Sequence, residues 1–422
     1  MNFFKFVFGH RGVGNVVRRS KQIASRFGHS PARMGARFER FMDVLDEFGV
    51  RPTFPITALP LSRNDAFARR LLERGAELAV HAWSHVNLTT LDYAGQSEHM
   101  GKAVRLFREH GVPFTGFRAP YLHWNEDTLR VVEAFKFRYS SNQTIWWDVI
   151  DEDGLDANAR DGLARGMAFY NPLRAERTRA LPVRRRGYVE IPVSLPDDEI
   201  PLDRMYIHDA AFLGTMWRDI LERVYERGEL FTLQLHPERI DFFTEALRDL
   251  LAAARAKKPP VWIATLDEIA QWWIDKAHNR ADFVRDGAGH RASVRASEGT
   301  TVTVREEGKE RIVEPGTVTV AGAERPCVGV APGSDRAALQ VLADLGYVVE
   351  VGDDIVEFAV HLGRVDAAAF DTIARAVAAI ERCPGPLVRF GTWPRGARAA
   401  LAVTGDIDAL TIWDFVHRFR GA

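Results

Sequence analysis

Ala397-Arg-Ala-Ala-Leu-Ala-Val-Thr-Gly-Asp-Ile-Asp408 stands near the C-terminal end of a 422-residue chain. It joins an apolar, strand-like run (397–403) to a Gly-containing turn that carries two carboxylates. An apolar strand ending in acidic side chains is material for the catalytic face of a parallel barrel and is unusual in a tail. With Asp406 and Asp408 one residue apart, one can bind a cation while the other stays free as a base. The alternative is that they satisfy backbone donors or cap the helix pattern at 410–419.

Three further constellations sit at the downstream ends of strand-like runs. His81-Ala-Trp-Ser-His85 follows Glu77-Leu-Ala-Val80, and its four-residue spacing predicts two imidazoles on one face of a helical turn, able to share a metal. A surface turn carrying two unrelated histidines is the competing reading. Arg118-Ala-Pro-Tyr121 offers a rigid guanidinium fork suited to a carboxylate, or else an ordinary structural ion pair. Leu233-Gln-Leu-His236-Pro237 presents a lone histidine, either a general acid or a hydrogen-bonded residue at a strand end. All four at strand ends together point to a site more strongly than any one of them.

The rest of the chain agrees with a barrel. From residue 36 to about 280, amphipathic helix patterns alternate with short apolar runs, as in α/β folds. Phe38, Phe41, Met42, Leu45 and Phe48 define a helix over 36–48 ahead of Gly49. Strands are expected at 52–58, 77–81, 114–118, 137–141, 188–194, 230–236 and 261–265. No Gly-x-Gly-x-x-Gly follows the first strand to favour dinucleotide binding, and no cofactor-binding residues are assigned. Residues 285–322 read as a small β-module of hairpins. Residues 323–392 read as an α/β insert, with helices at 335–346 and 366–382 and a strand at Val348–Val351. Residues 393–422 return to barrel material.

Composition sets outer limits. Hydrophobic residues make up 46% and charged residues 27%, with 56 basic against 57 acidic side chains and a net charge of -1. That balance gives no field for nucleic acid or an anionic membrane. Cys327 and Cys383 lack partners at metal-ligand spacing and read as buried thiols. The opening Met1-Asn-Phe-Phe-Lys-Phe-Val-Phe8 is too short an apolar cluster for an export signal or an integral membrane span, so a cytoplasmic location is expected. His10, Arg11, Arg18, Arg19, Lys21 and Arg26 make the first 30 residues basic, as a solvated helix face or a contact for a sugar-linked phosphate.

At these residues the chain resembles the polysaccharide deacetylases, the NodB-homology fold of carbohydrate esterase family four, over about 1–280 plus 393–422. His81 and His85 match the paired-His motif, Arg118 to Tyr121 the Arg-x-Pro-aromatic motif, and Leu233 to His236 the Leu-x-Leu-His motif. Val189-Glu-Ile-Pro-Val-Ser-Leu-Pro-Asp-Asp198 and the segment from Trp262 to Trp273 are similar to some members. The family opens its barrel with the strand that carries the paired Asp. Residues 1–50 contain no such strand, whereas 393–408 resembles it. The resemblance therefore implies a deformed (β/α) barrel of seven or eight strands, circularly permuted, whose barrel segment 1–280 is completed by 393–422. Permutation requires the chain ends to lie close together. The rival arrangement is a domain-swapped homodimer in which each tail completes its neighbour's barrel.

The resemblance also implies roles. Asp408, His81 and His85 would hold a divalent metal, zinc before others. Asp406 would take a proton from the attacking water, with Arg118 orienting it. The backbone N–H of Tyr121 would stabilise the oxyanion, His236 would protonate the departing amine, and Asp148 would orient His236. The implied activity is metal-dependent hydrolysis of an N-acetyl or O-acetyl group on an aminosugar, in a polysaccharide or its precursor. Two alternatives stand beside it: a small-molecule C–N amide hydrolase on the same barrel, and a non-catalytic carbohydrate-binding relative.

Overall fold

The C-terminal strand forms over Ala399–Gly405, and all seven of its residues are buried. The computed structural model describes residues 30–353 and 357–417. Eleven other strands share its sheet: β1 (Thr53–Ile56), β2 (Glu77–Val80), β3 (Gly116–Phe117), β4 (Tyr139–Ser140), β5 (Thr144–Trp146), β6 (Leu173–Arg174), β7 (Val183–Arg184), β8 (Val189–Glu190), β9 (Val193–Leu195), β10 (Leu230–Leu235) and β11 (Val261–Ile263). The C-terminal strand runs parallel to β10 from Leu230↔Ala400 to Leu235↔Gly405, and parallel to β1 at Thr53↔Thr404. β11 pairs with its opening residues. The tail thus completes its own chain's sheet.

From β1 the sheet continues through β2 and β3 to β4, all parallel. One kinked segment, Val189–Leu195, then closes the circuit. Its first half (β8) pairs with β4, and its second half (β9) pairs with β5 and with β10. The result is a deformed α/β barrel with short flanking strands β6, β7 and β11. The pieces at 144–146, 173–174 and 183–184 were not expected as strands, because two or three residues are too few for a period of two to register.

Alternation along the C-terminal strand explains its composition. Ala399, Leu401 and Val403 join the core that contains Phe54, Phe231 and the helices Ala210–Arg227 and Ile240–Ala256. Ala400 and Ala402 belong to a second cluster with Ala79, Tyr139 and Ile191, filled by Ile269 and Trp273 of the helix Leu266–Asp275. The first helix spans Ala32–Glu47, one turn earlier than its apolar spacing predicts. Phe38 and Phe41 of that helix pack on Phe54 with ring centroids 5.5 and 5.9 Å apart. Gly49 ends it at φ 60, a left-handed conformation that glycine adopts without a Cβ penalty.

Beyond the barrel, Arg280–Asp286, Gly289–Arg295 and Gly316–Ala321 form one antiparallel sheet. Lys309–Val313, Val302–Glu306 and Leu387–Phe390 form another, and the two share a core around Phe283, Val294, Val304 and Phe390. Two boundaries therefore shift. Arg280–Asp286 belongs with the β-module, and Leu387–Phe390, placed by sequence in the α/β insert, pairs with the β-module instead. The insert itself has a parallel sheet of Val349–Val351, Arg325–Val330 and Phe358–His361, with helices Arg336–Asp344 and Phe370–Arg382. Lys276 ties it to the barrel by donating from Nζ to the carbonyls of Asp344 (2.7 Å) and Thr392 (2.8 Å). Cys327 is buried, which pushes its thiol pKa up, whereas Cys383 is only partly buried. The basic residues between His10 and Arg26 and both chain ends lie outside the described residues. Among the described residues no helix is long and apolar enough to cross a membrane.

Gly405 sits where the C-terminal strand meets β1 and the turn after β10. A Cβ there would stand 2.7 Å from both Phe54 Cε1 and Pro237 Cγ. Gly405→Ala should destabilise the protein by about 1–3 kcal/mol, the range for overpacking a tight core, read as a lowered urea midpoint. An unchanged midpoint would show that the strand is not held as tightly as described.

Candidate active site

Parallel register lines up the ends of six neighbouring strands, from β10 through the C-terminal strand and β1 to β4. Leu235 beside Gly405 places His236 next to Asp406, whose N–H donates to the Leu235 carbonyl at 3.0 Å. On the other side, the His81 N–H reaches the Ile56 carbonyl, the Arg118 N–H the Val80 carbonyl, and the Ser141 N–H the Phe117 carbonyl, each at 3.0 Å. His236, Asp406, His81, Arg118 and Ser141 thus form one row along the carboxyl edge of the sheet, where parallel barrels gather functional side chains.

The paired histidines meet differently from expectation. His81–His85 is not a helical turn: Ala82 has φ 64, and this left-handed residue swings the chain back so that the two rings lie 5.1 Å apart. His81 is fully buried and donates from Nδ1 to the Arg118 carbonyl at 2.8 Å. That bond fixes the tautomer and leaves the Nε2 lone pair available. Nε2 has no hydrogen-bond partner, and it lies 3.6 Å from Asp408 Oδ1 and 4.0 Å from Asp406 Oδ2. His85 Nε2 is 3.2 Å from the same Asp408 oxygen. One donor atom from each of His81, His85 and Asp408 falls within a 4.8 Å group. Two ligands about 2.0–2.1 Å from a tetrahedral cation stand roughly 3.3–3.4 Å apart, so these separations fit one ion. The chemistry of the set, two imidazoles and a carboxylate, fits a divalent transition metal. Thr57 Oγ1 holds the Asp408 carbonyl at 3.0 Å.

Asp406 faces the same space but is held by the chain. Arg118, fully buried, donates from Nη1 to Asp406 Oδ1 and to Thr404 Oγ1, both at 2.8 Å. Its remaining donors go to the Ser141 carbonyl at 3.2 Å and to Ser141 Oγ at 3.0 Å. Glu190 supports that loop from below by accepting the N–H groups of Asn142 (2.7 Å) and Gln143 (2.9 Å). Asn142 in turn accepts the Ala119 N–H at 2.7 Å, just ahead of Tyr121. Tyr121 (φ 62) and Leu122 (φ 58) are both left-handed. Two such residues in succession cost about 1–3 kcal/mol each, so the surrounding contacts over-determine this turn. The Tyr121 ring stands edge-on to His85, centroids 4.3 Å apart.

The partner assigned to His236 from sequence is wrong. Asp148 is exposed in the loop after β5, and it is Asp198 that accepts from His236 Nδ1, at 2.8 Å. The reason is topological: β9, which leads to Asp198, pairs with β10, whereas β5 lies one strand further away. Burial alone would lower the His236 pKa, but the Asp198 carboxylate raises it to about 10. Asp198 shows the converse, since burial would raise it and the charges of His236 and Arg239 leave it lowered. Asp197 is also buried, and desolvation together with its charged neighbour Asp198 pushes its pKa up. Asp197, Asp198 and His236 form a second compact donor group. Arg239 Nη1 already stands 3.1 Å from Asp198 and 3.2 Å from His236 Nδ1, so the balancing positive charge there belongs to the chain. Asp198, Arg239, Glu190, Thr404 and Ser141 had no role in the sequence reading. The one signal for Asp198 was its place at the end of the family-like stretch 189–198.

Residues 16–140 match the model of the family described as polysaccharide deacetylase. A curated relative, the peptidoglycan deacetylase-like protein FGM2 of Gibberella zeae, is 27% identical over 299 residues, which is 65% of this chain and 85% of that protein. Over this stretch the chain is similar to the polysaccharide deacetylases. Among solved structures it is similar to a putative polysaccharide deacetylase from Mycobacterium smegmatis, at 23% identity over 56% of this chain and 76% of that one, with a TM-score of 0.43. It is also similar to a probable polysaccharide deacetylase from Pseudomonas aeruginosa PAO1, at 19% identity over 57% and 73%, with a TM-score of 0.45. The match to the family model takes in His81, His85, Arg118 and Tyr121 and ends before His236, Asp406 and Asp408. Strand pairing brings those three to the same place as His81 and Arg118.

The raised His236 pKa has a definite pH signature. A group whose folded pKa lies above its unfolded value of about 6.5 contributes stability that is complete below about 6.5 and is lost as pH rises through the folded value, here about 10. Chelator-treated wild type should therefore lose thermal stability from pH 7 to pH 10 more steeply than Asp198→Asn. Parallel melting curves for the two proteins across that range would contradict the ion pair.

Proposed function

We propose that this chain is a polysaccharide deacetylase, a metal-dependent hydrolase that removes an acetyl group, N-linked before O-linked, from an aminosugar in a polysaccharide or its precursor. The observation that carries the reading is the meeting of His81, His85 and Asp408 donor atoms beside a second carboxylate, Asp406, held by Arg118. His81, His85 and Asp408 would hold the cation, zinc in this reading because imidazole and carboxylate are its usual catalytic donors. Bound there, the ion supplies positive charge that polarises an acyl oxygen and acidifies nearby water.

The chain's own groups do the rest. Asp406 takes the proton of the attacking water, and Arg118 and Thr404 keep its carboxylate aimed at the shared space. The Tyr121 N–H faces the oxygen on which negative charge develops, as a preorganised donor. His236, protonated at neutral pH because Asp198 lies behind it, passes its Nε2 proton to the leaving nitrogen. A carbon–oxygen bond forms to water oxygen, the carbon–nitrogen bond breaks, and acetate and a free amine leave. Tyr121, half-buried with its ring against His85, offers an aromatic face to a sugar ring. We also read the chain as circularly permuted. Support comes from the strand bearing the Asp pair, which is the last strand among the described residues yet lies directly beside β1 in the sheet.

Purified protein should carry about one equivalent of a divalent ion and release acetate from N-acetylated chitooligosaccharides. Alanine at His81, His85 or Asp408 should abolish both the bound ion and the activity. Asp406→Asn should keep the ion, measured by elemental analysis, and lose at least about 100-fold in kcat, the scale of a lost general base. Full activity in metal-depleted protein would overturn the mechanism.

A further inference from the structure

The turn after β10, His236-Pro-Glu-Arg239, folds back so that Arg239 lies against the histidine that opens it. Arg239 is only 3% exposed. Its Nη1 donates to Asp198 Oδ2 at 3.1 Å, and its Nη2 donates to Asp203 Oδ2 at 2.5 Å. The other Asp198 oxygen, Oδ1, accepts from His236 Nδ1, while Oδ2 also accepts the His236 backbone N–H at 3.1 Å. A carboxylate gripped by one imidazole alone can turn about its last side-chain bond, because that torsion is broad. Here the far oxygen is pinned twice, and Arg239 is in turn anchored on Asp203.

We propose that Arg239 is a positioning residue: by bridging Asp198 to Asp203 it locks the carboxylate that orients the His236 ring, and so aims the opposite ring nitrogen at the leaving group. A guanidinium suits this because its planar fork reaches two carboxylates at once, which a single ammonium on a flexible stem does not do in a fixed geometry. The charged groups facing this centre are Asp197, Asp198, Glu199, Asp203 and Arg204 from the segment after β9, Glu238 and Arg239 from the turn after β10, and Asp406 from the neighbouring strand end. Arg204 is committed to Glu199 at 2.8 Å, which leaves Arg239 as the guanidinium on Asp198 among the described residues.

The inference rests on the reading of His236 as proton donor, and two measurements on zinc-loaded, full-length protein separate the two. The first is the His236 Nδ1–H resonance, assigned by its loss in Asp198→Asn. It should be slow to exchange in wild type, broadened away in Arg239→Met and partly retained in Arg239→Lys. The second is kcat for an N-acetylated chitooligosaccharide, which should fall roughly 10- to 100-fold in Arg239→Met, a share of the usual acid–base contribution, with KM within about twofold. That loss should exceed the loss on p-nitrophenyl acetate by about tenfold, because a phenolate leaves without needing a proton. A folded Arg239→Met with an unaltered Nδ1–H signal, or with equal losses on both substrates, overturns the proposal. If Arg239→Met fails to fold, Arg239→Lys decides by the same signal. Wild type that cleaves neither substrate would refute the functional reading, and the resonance would still decide the role of Arg239.

Discussion

Everything at the site depends on the pairing of the C-terminal strand between β10 and β1. Six consecutive residues of that strand are in register with β10, and its end touches β1 through Thr404 and Ile407. Without this strand β10 and β1 would have no common neighbour, and the sheet would open in the middle of the row of polar side chains at the strand ends. A parallel ladder fixes position along the strand to a single residue, since a slip of one reverses which side chains face inward. The ladder therefore decides that Thr404 and Asp406, rather than Gly405 and Ile407, share a face with Arg118 and His81.

Two buried charge assemblies flank the space that this register creates. On one side Arg118 holds Asp406, with Thr404 and Ser141 taking its other hydrogen bonds. On the other Asp198 holds His236, with Arg239 and Asp203 behind. Buried ions are expensive to desolvate, and a pair is tolerated when its remaining donors and acceptors are met. Arg118 meets that condition with every nitrogen through residues on neighbouring strands, whereas Arg239 leaves its Nε unpartnered and is held through its two terminal nitrogens. Between them, His81 Nε2 is left with a free lone pair because its other nitrogen is spent on a backbone carbonyl. The proposed cation site rests on this concentration of carboxylate and imidazole in one row, bounded by two guanidinium-supported pairs.

Much of this was legible one strand at a time. Apolar runs ending in His81, Arg118, His236 and Asp406 could be read because a parallel strand in a barrel leaves a local signature: several apolar residues, then a polar one at a turn. The helix at 32–47 was legible from its phenylalanine spacing. What stayed hidden was short or non-local. The paired pieces 139–146 and 189–195 change partners within a few residues, and no periodicity reports that. The His81–His85 turn looked helical because four-residue spacing is shared by helices and by chain reversals, and only the left-handed Ala82 distinguishes them. Asp148 and Asp198 both follow strands, so the choice between them depended on which strand lies next to β10.

The sequence by itself determined the chemistry available: two histidines, two carboxylates and a guanidinium, each delivered to the end of a strand by local hydrophobic patterning. Only the tertiary structure decided which of those ends are neighbours. Neighbour relations in a parallel sheet arise from hydrogen bonds between segments hundreds of residues apart, as between Thr53 and Thr404. Local pattern carries no record of such pairings, and burial of the completed sheet selects them.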